Sequence, residues 1–247
     1  MRTNMYGFAG WLVRAALVFS FCAGAVWTFA QQSAPAPAAG TVSKLKFLPP
    51  STGGAASVRV SGGSRGSGDD AVTLDVLAPD PVGITTEEQP SLFWFQSKPA
   101  NARFELTLLQ ENKPKPLVQV MVERSTKAGI QQLKLADQGV KLAPGIEYQW
   151  VVALVKDPDN RSLDQVASGA IKRIEASAEL KEKLAKATPA TKAGIYAEAG
   201  IWYDALTVLS DQIQAQPANK ALRDTRADLL EQVGLKAVAA AEVAATK

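Results

Sequence analysis

Histidine is absent from this 247-residue chain, and cysteine occurs once, at Cys22. Without imidazole there is no Ser–His or Cys–His nucleophile, and no zinc or copper site built on histidine. Charge of either sign is also scarce in excess: 27 Lys and Arg stand against 24 Asp and Glu. Aromatic residues are 7% of the chain, yet five of them are Trp. Apolar residues make up 47%, enough for a real core. Collagen, coiled-coil and wholly disordered classes are excluded.

A long hydrophobic run occurs only near the start. Arg2 supplies a charged beginning, Arg14 precedes an apolar run from Ala15 to Trp27, and Thr28-Phe29-Ala30 places small residues around a cleavage point before Gln31. The run is short for a membrane span of ~20 residues. Counting Trp11, Leu12 and Val13 brings it near that length, but Arg14 interrupts it. The expectation is a cleaved leader over residues 1–30 and a periplasmic or secreted protein. An uncleaved anchor in the inner membrane is the second reading. Phe21, where a small residue is needed, speaks against lipidation of Cys22. Cleavage leaves residues 31–247 with 25 basic and 24 acidic side chains, a net charge of +1, and no cysteine. That charge makes no electrostatic case for nucleic acid or an anionic membrane, and the fold must stand without a disulfide.

Residues 31–86 read as a largely irregular lead-in. Gln31 to Gly40 is Pro/Ala-rich, Lys44 to Leu48 reads as a short strand before Pro49-Pro50, and Ser51 to Asp70 is glycine-rich with few apolar residues. From 87 to 175 the period becomes two. Ser91–Gln96, Arg103–Gln110, Leu117–Glu123, Gln131–Ala136, Glu147–Lys156 and Val166–Ile174 are short strand-like runs, most with period-two character, with Pro, Gly, Asn and Asp between them. About six strands without an intervening helix predict an antiparallel sandwich. Leu142-Ala143-Pro144-Gly145-Ile146-Glu147-Tyr148 resembles the E–F corner of fibronectin type III and immunoglobulin-like domains. The resemblance implies that the Tyr148 hydroxyl bonds upstream backbone near 142–145, and that Trp94 is the strand-B tryptophan. Trp94 and Trp150 read as core.

After Glu175 the period becomes helical. Helices are predicted over Glu179–Ala187, Thr191–Ala199, Tyr203–Ala215 and Lys220–Val233, with Glu179–Lys183 and Glu182–Lys186 as i,i+4 pairs. Tyr196, Gly200, Ala205, Leu209 and Pro217 resemble one tetratricopeptide unit, in which Gly200 makes the turn and Ala205 the close approach. One unit cannot stand alone. The helical module, 176–235, must therefore bury its apolar face on the sandwich or on a partner. Residues 236–247 read as a frayed tail. The fold class is α+β: a sandwich followed by a small helical hairpin module.

Landmarks spread along the chain resemble a bacterial domain-of-unknown-function family, number 928. They are Phe47-Leu48-Pro49-Pro50, Gly62-Gly63-Ser64-Arg65-Gly66, Leu92-Phe93-Trp94-Phe95, Tyr148-Gln149-Trp150, Arg161-Ser162 and Gly200-Ile201-Trp202-Tyr203-Asp204-Ala205-Leu206. The resemblance implies an exported protein and brings no catalytic residues with it. Many such members carry a cysteine after the Gly-rich run, where Asp69-Asp70 stand here.

The chemistry that remains is thin. Ser43-Lys44-Leu45-Lys46 fits Ser-x-x-Lys but lies in the lead-in. Glu87-Glu88 point apart if extended, and Asp157-Pro158-Asp159-Asn160 reads as a turn. Arg161 blocks a calcium loop there. The Gly62–Gly68 run is either an anion nest aided by Arg65 or, preferentially, a flexible loop with Arg65 pinned to an acid. No catalytic, cofactor or metal residue is predicted. The expectation is a non-enzymatic scaffold for an envelope or exported protein, with Trp202 wedging the helices onto their neighbour and an exposed apolar patch beside Trp202 and Tyr203. Glycan binding through exposed rings and a carboxylate hydrolase are the alternatives.

Overall fold

Alternating sequence becomes strand because only an extended backbone puts every second side chain on one face. The structure is a computed structural model, and it describes residues 45–50, 59–61, 72–100, 102–122 and 127–245. The strands are β1 (Leu74–Val76), β2 (Gly83–Thr85), β3 (Ser91–Gln96), β4 (Arg103–Gln110), β5 (Val118–Val122), β6 (Gly129–Lys134), β7 (Glu147–Val155) and β8 (Gln165–Arg173). They form a three-stranded sheet in the order β1-β3-β6 and a five-stranded sheet in the order β2-β8-β7-β4-β5. Trp94 of β3 meets Phe104 of β4 between the sheets, ring centroids 6.0 Å apart. Phe104, Leu106 and Leu108 are buried against Trp150 and Val152 of β7. This order is that of an immunoglobulin-type sandwich.

The tyrosine corner forms as expected. The Ala143 amide donates to the Tyr148 hydroxyl at 3.0 Å. Gly145 supplies the left-handed turn residue at φ 77°, and its amide donates to the Arg173 carbonyl. One expectation fails here: the sandwich is not wholly antiparallel. β2 runs parallel to β8, pairing Gly83 with Ile171 and Thr85 with Arg173. The lead-in, read as largely irregular, also carries two short strands. Residues 74–85 supply β1 and β2, three residues each, too short to display a period. Residues 45–50 form no strand; they lie as a strap across the helices, with Phe47 in the core. The Gln232 amide side chain bonds both the Phe47 N–H and the Leu45 carbonyl, and the Leu48 amide donates to Ala197.

The helices are α1 (Ala178–Ala185), α2 (Pro189–Glu198), α3 (Trp202–Ala215), α4 (Lys220–Gln232) and α5 (Lys236–Ala244). The Ser177 hydroxyl caps α1 by accepting from the Leu180 amide, and both predicted i,i+4 pairs form on its exposed side. α2 ends in a Schellman motif. Gly200, at φ 74°, lets the Ile201 amide reach the Tyr196 carbonyl. The same device recurs at Gly234, where the Leu235 amide reaches the Leu230 carbonyl.

Gly234 follows Gly200 by 34 residues, and Ala239 follows Ala205 by the same step. That is the tetratricopeptide period. A second hairpin, α4–α5, is therefore present where one was expected, and the segment read as a frayed tail is its second helix. Val238 and Ala239 of α5 are buried. The sequence Lys236–Ala244 is so rich in alanine that it shows little amphipathic contrast, which hid the helix. One apolar cluster runs through both modules, from Trp94 and Trp150 to Trp202, Leu229 and Val238.

Candidate functional site

Three consecutive residues at the start of α3 join the two modules. Trp202 donates from Nε1 to the Leu77 carbonyl at 2.9 Å, and its ring meets Phe47 edge-on at 5.1 Å. The Tyr203 hydroxyl donates to the Ala170 carbonyl at 3.0 Å and accepts from Trp150 Nε1 at 2.8 Å. A single buried hydroxyl thus closes the donor of one sheet residue and the acceptor of another. Burial pushes its pKa far above the usual tyrosine value. Gly83 makes room for it: a Cβ there would sit 2.5 Å from Tyr203 Cε2.

Asp204 completes the joint. Its carboxylate accepts from the Thr86 amide at 2.9 Å and from the Thr85 and Thr86 hydroxyls. Burial pushes its pKa up to about 6, against the pull of these three donors, and the charge of Glu87 adds to the rise.

This placement overturns the expected apolar patch. Trp202 and Tyr203 have no exposed surface and cannot present one to a partner. The wedge role expected of Trp202 is what the geometry shows. The physical reason is that the helical hairpins have an apolar face to bury, and the open side of the sandwich offers both apolar surface and free backbone acceptors. Gly200 and Ala205 act structurally, as read: a Cβ on Gly200 would lie 2.7 Å from the Leu48 carbonyl oxygen, and Ala205 is fully buried. Arg65, the Gly62–Gly68 run and Ser43 lie outside the described residues.

The carboxylates are also accounted for. The cleft beside the joint, about 230 Å³, brings Glu87, Asp204 and Asp211 together with Lys134 and Tyr196. Asp204 is buried there, and both of its oxygens already accept hydrogen bonds from Thr85 and Thr86. The Asp157 side chain accepts from the Asp159 amide at 2.9 Å, the turn that was predicted. Among the described residues no group of three or more His, Cys, Asp or Glu is placed to hold a metal ion. Every Trp and Phe among them is buried, and none of their rings is exposed.

What the sequence did not suggest lies on the outer face of the five-stranded sheet. Arg103 at the start of β4, Val155 and Lys156 at the end of β7, Met121 on β5, and Pro158 and Arg161 of the following loop line a cavity of about 380 Å³. Arg161 bonds Asp164 through Nε at 2.6 Å and Glu105 through its two terminal nitrogens at 3.1 and 3.3 Å. The Arg161 contact holds the Glu105 carboxyl below its usual range. Arg103 and Lys156 make no ion pair among the described residues. These residues are far apart in sequence, and only strand register collects them. A further cavity of about 540 Å³ lies between the strap, α1 and α2, lined by Leu48, Leu180 and Ile195 with charges of both signs.

Sandwich, strap and paired helical hairpins around one core define a class of protein: a β-sandwich with an integral helical cap. The chain belongs to the family described as Domain of Unknown Function (DUF928), whose model matches residues 60–243. No curated protein matches the chain significantly.

Proposed function

We propose that the protein is an exported, non-enzymatic scaffold that binds another protein of the cell envelope. The observation that carries this reading is the outer face of the five-stranded sheet. There Leu117 and Met121 are both more than two-fifths exposed, and Arg103 and Lys156, which share a cavity with Met121, make no ion pair among the described residues. Such a mixture of apolar surface and charged side chains suits a protein interface. The reading draws further support from the internal use of the aromatic residues and of Asp204, which leaves little for sugar stacking or acid–base chemistry.

The leader reading belongs with this proposal. N-terminal sequencing of the protein from its own envelope fraction is expected to begin at Gln31. Crosslinking and pull-down at native abundance are expected to return a repeatable protein partner. Repeated recovery of none refutes the scaffold reading, as does turnover of an envelope substrate.

A further inference from the structure

Residues 45–50 precede every strand and helix of the described residues, and no described strand pairs with them. Their hydrogen bonds within the described residues all end on their own main chain. Gln232 of α4 accepts from the Phe47 amide at 2.9 Å and donates to the Leu45 carbonyl at 2.9 Å. The Leu48 amide donates to the Ala197 carbonyl of α2 at 3.1 Å. One carboxamide thus meets a C=O and an N–H two residues apart, as one residue of a parallel neighbouring strand does.

The seat beneath is cleared for a backbone. Gly194 lies in the middle of α2, where glycine is an unfavourable helix residue. A Cβ there would come 3.1 Å from Leu45 Cδ2. A Cβ on Gly200 would meet both the Leu48 carbonyl oxygen and, at 3.0 Å, Pro50 Cδ. Glycine at both places lets the strap approach the helices closely. One side chain is taken inward: Phe47 is buried and meets Trp202 edge-on. Its neighbours Lys46 and Leu48 are exposed. The strap is held as a bound peptide is held, by its main chain and one aromatic anchor. Those contacts are few for the conformational freedom that six ordered residues give up, and such segments open well below the free energy of global unfolding.

We propose that the strap is a releasable latch. Residues 45–48 fill, as an internal ligand, a seat that takes an extended segment with an aromatic residue from a protein partner once the latch lifts. The bonds to Gln232 and Ala197 are open to any extended main chain, and the pocket against Trp202 selects the aromatic ring. While the latch is down the seat is blocked, so the partner's apparent affinity is reduced by the fraction of molecules that are closed. This inference rests on the scaffold reading and adds to it a covered seat on the helical cap.

Amide hydrogen exchange of the full wild-type chain, resolved by residue, is the first test. The Phe47 and Leu48 amides are expected to exchange about a hundredfold or more faster than those of Trp150 and Val152 in β7. Equal protection means that the strap leaves only on global unfolding, and it overturns the proposal. A fluorescent peptide with the sequence of residues 45–50 is then titrated against the full chain carrying Phe47→Ala. Binding roughly tenfold or more tighter than to wild type is expected, because the latch no longer fills the seat. Adding Gln232→Ala, or replacing the phenylalanine of the peptide by alanine, should weaken that binding roughly tenfold. Leu48→Pro removes only the amide that bonds Ala197, and it takes the place of Phe47→Ala should that variant fail to fold.

Equal binding to wild type and to the latch variant, or no loss on either further change, overturns the proposal. So does a dimer formed by exchange of straps between two copies, in which the occupant is not a partner. A partner crosslinked equally by wild type, by the latch variant and by that variant with Gln232→Ala overturns this seat while the scaffold reading stands. Recovery of no partner by any of them removes the scaffold reading itself.

Discussion

At Tyr203 a single hydroxyl decides how two modules meet. Tyr203→Phe keeps the ring and removes the oxygen that satisfies Trp150 Nε1 and donates to Ala170. A buried indole N–H is then left unpaired, and the expected loss is about 1–3 kcal/mol, read from urea unfolding. Asp204 makes a prediction of a different kind. Its folded pKa lies near 6, raised above an ordinary 3.8 by burial. Between those values the folded protein holds a proton that the unfolded chain has released. Stability from this residue is therefore fully present below about pH 4 and declines as pH rises through 6, by at most roughly 3 kcal/mol. Asp204→Asn should flatten that decline. Denaturant midpoints from pH 4 to 7, compared between the two proteins, check it. Glu88 and Glu105 slope the opposite way, because the Lys141 and Arg161 contacts hold their pKa values low. The difference between the two curves isolates Asp204.

At the scale of elements, the second hairpin is held by a buried ion pair. Arg226 of α4 donates to Glu242 of α5 at 2.6 Å and to Ser210 of α3 at 3.0 Å. One guanidinium thus ties three helices. Glu242→Ala leaves that charge buried without its carboxylate, and a loss of about 3–5 kcal/mol is expected by thermal or urea unfolding. A double variant, Arg226→Met with Glu242→Leu, should recover most of it. The turn between α2 and α3 is equally constrained. Gly200→Ala must adopt φ near 74° and push against the Leu48 carbonyl. A loss above about 1 kcal/mol follows, accompanied by faster hydrogen exchange at the Leu48 amide, which bonds Ala197.

Strands and helices were legible because they depend on neighbours in sequence. Arg103–Gln110 alternates, Glu179 and Lys183 face one another, and Pro144-Gly145 turns. β1, β2 and α5 were not legible. β1 and β2 are three residues long, and α5 is rich in alanine, with little amphipathic contrast. Neither offers a period to read. The 34-residue echo of Gly200 at Gly234 was the signal available for the second hairpin.

At the scale of the whole molecule, the apolar core runs unbroken from β3 through β7 into α3, α4 and α5. A sandwich and a separable cap would unfold in two steps. One continuous core should unfold in one, with intrinsic tryptophan fluorescence and far-ultraviolet circular dichroism changing together. Residues 87–175 alone are expected not to reach a stable fold. They lack β1, β2 and the side chains of α3 that fill the open side of the sandwich.

Local order is what the amino-acid sequence determined alone: which runs extend, which coil, where the chain turns, and which chemistries its missing histidine forbids. Those follow from backbone sterics and from side chains a few positions apart. Tertiary structure alone decided that Trp202 and Tyr203 face inward, that a strap from residues 45–50 crosses the helices, and that Arg103, Met121 and Lys156 share one cavity. Burial and strand register are settled between residues distant along the chain, and the spacing of residues in sequence carries no record of either.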